Sequence, residues 1–230
     1  MRLKHLWWSM LAAAVLGGLV GVAGVAAGEQ FIPVLTIREG AGRSAGIPQA
    51  NGFIDYLTLL NTRDGGINGV PLVWEECETV GDVTRVVECY ERLKTKGPTG
   101  AAAIHAFNAL LVYALTERAT SDRLPLITLT AGPSEADDGR VFPYVFNAPV
   151  NMWSQITAQI RFMGQRAGGM EQLKGRKIVY LYYESDRGGI IPLLDTLASQ
   201  YGFAVQHLVV QPPGLDQKAT WLRIKVAQPD

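Results

Sequence analysis

Three glycines between the first apolar segment and the first helical pattern are the residues that most suggest chemistry. Gly40, Gly42 and Gly46 stand in the segment "IREGAGRSAG", where a dinucleotide-binding protein keeps its phosphate loop. Their spacing is G-x-G-x-x-x-G instead of G-x-G-x-x-G, and the acidic residues that end the second predicted strand, Glu75 and Glu76, lie too far downstream for that fingerprint. The other interpretation is a flexible loop at the carboxyl edge of a parallel sheet, where open α/β sheets bind ligands.

The remaining polar side chains do not form a recognisable catalytic set. The sequence lacks a G-x-S-x-G segment, and residues 28–230 hold two histidines. His105 closes the third predicted strand and can face a cleft, but no carboxylate near it in sequence suggests a catalytic pair. His207 stands within an apolar strand, which is typical of a structural histidine. We therefore predict no catalytic residue, no metal site and no cofactor.

The composition and the amino terminus indicate an exported globular protein. A chain of 230 residues with zero net charge and 48% hydrophobic residues is neither disordered nor a nucleic-acid binder. Arg2 and Lys4 precede an apolar run over 6–25, and small residues follow up to Ala27. This pattern predicts a signal peptide, residues 1–27, cleaved near Ala27. An uncleaved membrane anchor is the alternative, since the run is long enough to span a bilayer.

Export gives the two cysteines a structural interpretation. Cys77 and Cys89 are the only cysteines of the chain, and no matching His or Cys cluster indicates a zinc site. In an oxidising compartment a disulfide between them can persist. It would close a loop of about a dozen residues and contribute about 3 kcal/mol at most. Two separate buried thiols are the alternative.

Alternating apolar segments and helical patterns predict the strands and helices that position the glycines, polar side chains and cysteines named above. Pro48 suits the first turn of the first predicted helix, and Thr79 begins the second in a pattern that resembles a capping box with Asp82. Between them, Gly65-Gly66 ends a helix, Asn68-Gly69 turns the chain into a strand, and Ile67 is expected to fill the apolar gap beneath. The alternation predicts an α/β fold with a parallel sheet. The predicted strands cover 31–37, 70–74, 101–104 and 125–129, and the predicted helices cover 48–61, 79–93 and 106–119.

The alternation of strand and helix patterns is interrupted near Arg140. The segment "RVFPYVFNAPVNMW" has two prolines and no helical period, so it reads as an extended connector. A second α/β series follows, with helices over 154–166 and 189–201, strands over 177–183 and 204–210, and a further helix ending over 221–227. We therefore predict an N-terminal α/β lobe over 28–146 and a partial second α/β lobe over 147–230.

Four segments in order resemble the branched-chain amino-acid (Leu/Ile/Val) binding family, which belongs to the type 1 periplasmic binding proteins of ABC importers. They are "NTRDGGINGVPL", "VECYERLK", "YALTERATSDRLPLIT" and "DGRVFPYVF", and the resemblance runs from Phe31 to Asp230. It implies a two-lobed fold of parallel sheets flanked by helices, which closes on a ligand by hinge bending. Because family members are longer, it also implies that the second lobe is incomplete here.

The resemblance and the strand ends together indicate the ligand-binding residues. In the family, a turn after the third strand and a segment after the fourth hold the ligand, and these correspond to "HAFNALL" and "TLTAGPS" here. In the second lobe an arginine replaces a usual aromatic residue, where it can pair with a carboxylate. The predicted ligand-binding residues are Arg43, Ser44, His105, Asn108, Ala109, Thr130, Gly132 and Arg187.

These features predict the exported substrate-binding component of an ABC importer, located in the periplasm and without enzymatic activity. The expected ligand is a small amino acid or a related carboxylate in the interlobe cleft. The expected partners are permease subunits in the inner membrane, and no nucleic acid. An NAD-dependent Rossmann-type oxidoreductase and a ligand-sensing module without a transport role are the alternatives.

Overall fold

The computed structural model describes residues 28–211 and 214–230. The predicted signal peptide, residues 1–27, lies outside the described residues. Among the residues that are described, no helix combines the length and the hydropathy needed to cross a membrane.

The described chain alternates strands and helices. The strands are β1 (Gln30–Thr36), β2 (Leu72–Glu78), β3 (Ile104–Ala106), β4 (Leu126–Thr128), β5 (Val145–Asn147), β6 (Lys177–Tyr182) and β7 (Ala204–Val209). The α-helices are α1 (Arg43–Asp64), α2 (Val83–Leu93), α3 (Ala109–Asp122), α4 (Met152–Ala167), α5 (Arg187–Tyr201) and α6 (Lys218–Ala227). Every strand pair is parallel, which confirms the predicted α/β fold.

The first five strands and α1 to α3 form what we call the first unit. β1 pairs with β2, and β3, β4 and β5 pair in that order. A parallel bridge between Phe31 and Ala101 joins the two sets, and the Ala102 N–H donates to the Phe31 carbonyl at 2.9 Å. The resulting order, β2-β1-β3-β4-β5, reverses direction between β1 and β3. Open sheets of this order bind ligands at the carboxyl ends of the strands flanking that reversal.

Apolar side chains cover both faces of the first sheet. On one face, Tyr90, Leu93, Leu115 and Leu126 are fully buried within one cluster. On the other, Val34, Leu57 and Leu72 pack together with side chains of α1. The bond between Cys77 and Cys89, with an S–S length of 2.00 Å and a Cα–Cα distance of 5.8 Å, ties β2 to α2.

The remaining elements, α4, α5, β6, β7 and α6, form what we call the second unit. β6 pairs with β7 from Lys177–Ala204 to Tyr182–Val209. Its buried cluster includes Ile156, Ile160, Leu194 and Phe203 and shares no residue with either cluster of the first unit. Each unit therefore has its own core.

Five helices begin at other residues than the sequence predicts, and α4 and α5 each begin two residues early, at Met152 and Arg187. α1 begins at Arg43, five residues before Pro48, which lies inside the helix. α2 is capped by Asp82, whose side chain accepts from the Arg85 N–H at 3.0 Å, whereas the Thr79 hydroxyl donates to the Thr36 carbonyl at 2.9 Å. α3 begins three residues late, at Ala109, because the side chain of the preceding Asn108 caps it.

The turn after α1 follows the prediction in its glycines and departs from it at Ile67. Gly65 ends the helix at φ 69° and Gly66 follows at φ 94°. A Cβ on Gly66 would lie 1.9 Å from the Val70 carbonyl oxygen, so the turn requires glycine there. Ile67 does not fill the gap beneath the turn, since 52% of its surface is exposed.

Candidate functional site

A cavity of about 670 Å³ lies between the carboxyl end of the first sheet and the second unit. The first unit lines it with the start of α1 and the loops after β3 and β4, namely Ala41, Gly42, Ser44, Ala45, Phe107, Asn108, Ala109, Thr130 and Ala131. The second unit lines it with α4, the end of β6 and the segments after β6 and β7, namely Met152, Gln155, Ile156, Gln159, Tyr180, Leu181, Tyr182, Tyr183, Ser185, Asp186, Ile190, Val210 and Gln217. Both walls therefore combine apolar and polar side chains, as small-molecule sites do.

The wall from the first unit contains two helix N-termini. The Asn108 Oδ1 accepts from the Leu111 N–H at 3.0 Å, and the Thr130 hydroxyl donates to the Phe107 carbonyl at 3.1 Å. Neither α1 nor α3 has an acidic residue in its first turn. The first N–H groups of a helix lack acceptors within the helix and favour negative charge. This wall therefore favours the negative end of a ligand.

The wall from the second unit is built from aromatic and amide side chains. The Tyr180 hydroxyl donates to the Gln159 Oε1 at 3.0 Å and thereby ties β6 to α4. Tyr182 is buried, whereas Tyr183 is exposed at the end of the strand. Tyrosine rings present an apolar body and a polar tip, so this wall can accept an apolar group and still offer hydrogen bonds.

Asp186 is the only acidic side chain in the described lining of the cavity. It occupies the N-cap position of α5 but makes no side-chain cap hydrogen bond. Its carboxylate accepts from the Ser185 hydroxyl at 3.2 Å. Burial raises the pKa of Asp186 above its ordinary value, and burial together with the Asp186 charge raises the pKa of Tyr180.

Four of the eight predicted ligand-binding residues line this cavity. Ser44 belongs to the first turn of α1, Asn108 and Ala109 mark the start of α3, and Thr130 follows β4. The structure brings these residues together because β1, β3 and β4 all end at the same edge of the sheet.

His105 does not face the cavity, which corrects the prediction. Its ring is 5% exposed and packs against Phe53 of α1 with ring centroids 4.6 Å apart. Neither ring nitrogen has a hydrogen-bond partner among the described residues. Burial lowers its pKa from 6.5 to about 4, so the ring is neutral at pH 7 and belongs to the interior.

Arg43, Gly132 and Arg187 also lie outside the lining of the cavity. Arg43 is exposed. The Gly132 N–H donates to the Val150 carbonyl at 3.0 Å, and the Gly132 carbonyl accepts from the Met152 N–H at 3.0 Å. Both backbone groups of Gly132 therefore bind the segment that leads into α4. The Arg187 guanidinium pairs with Glu184 at 3.4 Å. The preceding residue, Asp186, is the charged group that reaches the cavity.

The list of predicted ligand-binding residues omits the aromatic and acidic residues of the second wall. Tyr180, Tyr182, Tyr183 and Asp186 lie in the segment "VYLYYESD", at the carboxyl end of a strand. Ligands bind at the carboxyl ends of parallel strands, and this rule applies to the segment after β6 as well as to the first unit. The position of these residues at a strand end was therefore the sequence signal for including them in the site.

The glycines of the "IREGAGRSAG" segment are explained by local geometry. Gly40 has a φ of 73°, and Gly42 is the N-cap of α1. A Cβ on Gly46 would lie 2.1 Å from the Ile37 carbonyl oxygen, so glycine allows α1 to start directly against the end of β1. Over residues 28–211 and 214–230, no group of three or more His, Cys, Asp or Glu side chains is placed to hold a metal ion.

The chain matches known proteins over nearly all of its described length. A family described as "Periplasmic binding protein" matches residues 29–230. A crystal structure titled as an ABC transporter permease from the Pseudomonas fluorescens group is 43% identical, with a TM-score of 0.71, and the match covers 88% of this chain and 49% of that chain. No curated protein sequence matches the chain.

Two more distant structures share the fold. A branched-chain amino acid ABC transporter from Thermus thermophilus with bound valine is 18% identical, with a TM-score of 0.68 and 88% and 52% of the two chains covered. A solute-binding protein of an ABC transporter from R. palustris, in complex with benzoate, is 16% identical, with a TM-score of 0.69 and 88% and 54% covered. The chain thus spans about half the length of these solved structures.

Proposed function

Because the chain belongs to the periplasmic binding protein family, we propose that it is the solute-binding component of an ABC importer. It holds a small amino acid or a related carboxylate in the cavity between its two units and passes it to permease subunits in the inner membrane. The solute leaves chemically unchanged. The observation that carries this proposal is the 670 Å³ cavity between the carboxyl ends of two parallel sheets.

The separate cores support a division into lobes that can move relative to each other. We place the N-terminal lobe at residues 28–146 and the partial second lobe at residues 147–230. No residue is common to the buried clusters of the two units, and units with separate cores move relative to one another by default. Closure of such lobes around a solute is the hinge motion that binding proteins use.

The lining of the cavity supports a ligand with a carboxylate group. The starts of α1 and α3 face it with no acidic residue in their first turns, and helix N-termini favour anions. The resemblance to the Leu/Ile/Val-binding family agrees with this choice, although the subfamily remains part of the proposal.

Binding is tested by thermal-shift screening of amino acids and small carboxylates against this chain. A solute that binds only the folded state raises the free energy of unfolding by about 2.7 kcal/mol when its concentration is a hundredfold above Kd. Isothermal titration calorimetry then gives the stoichiometry, which we expect to be one solute per chain.

Variants that fill the cavity decide whether binding occurs there. Gln155→Trp on α4 and Ser44→Trp on α1 place a large side chain at exposed lining positions, and both should abolish the thermal shift. Ala158→Trp is the control, because Ala158 is exposed on α4 but does not line this cavity. A solute that binds equally well to all three variants would contradict the proposed site.

Export and transport need experiments in cells. Amino-terminal sequencing of the protein from the periplasmic fraction should begin at Gly28 if residues 1–27 are removed. Deletion of the gene should abolish uptake of the radiolabelled solute found in the screen. Normal uptake in the deletion strain would instead favour a ligand-sensing module.

A further inference from the structure

We propose that Glu78 is a positioning residue of the solute site: its carboxylate holds the loop between β1 and α1 in the conformation that presents Gly42 and Ser44 to the cavity. This inference rests on the proposed function, since it concerns the same cavity. It goes beyond the lining residues, because Glu78 itself does not line the cavity.

The Glu78 carboxylate accepts hydrogen bonds from the end of β1 and from two loops. Its Oε2 accepts from the Arg38 N–H at 2.7 Å and from the Thr36 hydroxyl at 2.8 Å. Its Oε1 accepts from the Val80 N–H at 2.7 Å. Arg38 follows β1 and Val80 follows β2. One side chain therefore joins the loops that follow two neighbouring strands.

These donors favour the ionised form of Glu78. Burial by itself raises the pKa of Glu78, but the N–H groups of Arg38 and Val80 and the Thr36 hydroxyl lower that pKa below its ordinary value overall. Hydrogen bonds to a charged acceptor are stronger than bonds between neutral groups. The loop after β1 is therefore fixed by charge-assisted hydrogen bonds and not by packing alone.

The backbone beside these bonds adopts conformations that need support. Val80 has a φ of 48°, which is unfavourable for a β-branched residue, and its N–H is the group that Glu78 Oε1 binds. Gly40 has a φ of 73°, and a Cβ there would lie 3.6 Å from the Val80 carbonyl oxygen, so the two loops lie side by side. Unfavourable backbone conformations persist where surrounding contacts determine them. Glu78 supplies such contacts to both loops.

The loop that Glu78 holds leads directly into the wall of the cavity. Gly42 is the N-cap of α1, Ser44 and Ala45 lie in its first turn, and all three line the cavity. The first N–H groups of a helix lack acceptors within the helix, and hydrogen bonds weaken steeply when a donor turns out of line. Loss of the Glu78 bonds should therefore weaken solute binding without removing any side chain that contacts the solute.

The variant Glu78→Gln tests this role because it keeps the size and shape of the side chain. Glutamine has a single acceptor oxygen, so it can accept from Arg38 or from Val80, and its NH₂ group must then face the other N–H. In the solute-free chain, hydrogen–deuterium exchange of the amides of 38–46 should become about tenfold faster or more. Exchange in α5, which belongs to the second unit, should stay within about twofold.

Solute affinity is measured by isothermal titration calorimetry with L-leucine, L-phenylalanine, L-glutamate and benzoate. The one of these four that binds the unaltered chain most tightly is the probe for the variants. We expect Glu78→Gln to weaken binding of this probe by about tenfold or more. Glu76→Gln is the matched control, because Glu76 lies on the same strand and pairs with the Arg38 side chain at 2.6 Å instead of its backbone. It should leave the affinity within about twofold.

Two further variants separate positioning from general stability. Tyr90→Phe removes the hydrogen bond from the buried Tyr90 to Asp122 at 2.8 Å. It should lower the melting temperature and, well below that temperature, leave the affinity within about twofold. Thr36→Val removes one donor to Glu78 and keeps a β-branched residue in β1, so it should weaken binding of the probe by about threefold or more. It also decides the role of Glu78 if Glu78→Gln does not fold.

The outcomes separate this inference from the proposed function. Unchanged affinity, or unchanged exchange over 38–46, in Glu78→Gln and Thr36→Val overturns the role of Glu78, whereas loss of binding in Gln155→Trp still supports the cavity. An equal loss of affinity in Tyr90→Phe also overturns that role, because affinity would then follow stability. No binding of any of the four solutes to the unaltered chain rejects both the inference and the proposed function.

Discussion

Replacing His105 by leucine should reduce the stability that the first unit loses between about pH 7.5 and about pH 5. The ring is 5% exposed against Phe53, and burial lowers its pKa from 6.5 to about 4. The unfolded chain therefore takes up a proton at a higher pH than the folded chain. The stability that depends on a neutral His105 is fully present above about pH 6.5 and is lost as the pH falls towards 4.

The magnitude follows from these two values. The full shift corresponds to about 3 kcal/mol, of which about 2 kcal/mol is lost between about pH 7.5 and about pH 5. Leucine does not titrate, and it also removes the two buried ring nitrogens that have no partner among the described residues. At about pH 7.5 we expect His105→Leu to be as stable as the wild type or more stable by about 1 kcal/mol.

Urea unfolding of the wild type and of His105→Leu at both pH values measures the effect. Carboxylates are common to both chains, so the quantity of interest is the difference between their pH dependences. His207→Gln is the control, because His207 lies in the second unit beside Asp195 at 2.9 Å. The free energy of unfolding of this variant should decrease between the two pH values by as much as that of the wild type. An equal decrease in the free energy of unfolding on acidification in the wild type and in His105→Leu would refute the predicted contribution of His105.

Two further predictions concern the scaffold of the site. Reduction of the Cys77–Cys89 bond should lower the free energy of unfolding by about 3 kcal/mol, and the double variant Cys77→Ser/Cys89→Ser should show a similar loss that reductant does not increase. Gly46→Ala should destabilise the chain by about 1–3 kcal/mol, because its Cβ would lie 2.1 Å from the Ile37 carbonyl oxygen. Gly52→Ala in the same helix has no atom within 4 Å of the new Cβ and should stabilise by about 0.5–1 kcal/mol, as urea unfolding of both variants would show.

The order of elements was predictable from the sequence, whereas several boundaries were not. Alternating apolar runs and helical patterns depend on local periodicity, and they predicted the parallel pairing of β1 to β4 and of β6 with β7. They did not predict β5 (Val145–Asn147), which lies in the segment assigned to an extended connector and pairs with β4. The start of α1 depends instead on contact with the end of β1, since Gly46 leaves room for the Ile37 carbonyl. Pro48 was a misleading signal, because proline favours the first turn of a helix but here lies five residues inside α1.

The candidate site was predictable where it depends on sheet topology and not where it depends on side-chain direction. Ser44, Asn108 and Thr130 were found because loops after parallel strands meet at one edge. His105 was assigned wrongly, since adjacent residues of a strand point to opposite faces and its ring points into the core beside Phe53. Arg187 was assigned from the resemblance, as the residue that replaces a usual aromatic, whereas the preceding Asp186 lines the cavity. A one-residue difference at the start of α5 decides which charge enters the cavity.

The two walls of the cavity therefore contribute different kinds of information about the ligand. The wall from the first unit uses backbone N–H groups at the starts of α1 and α3, which any sequence that forms this fold will present. The wall from the second unit uses side chains such as Tyr180 and Asp186, which can change without altering the fold. Proteins of one fold can thus keep a common preference for a negative group and still bind different solutes.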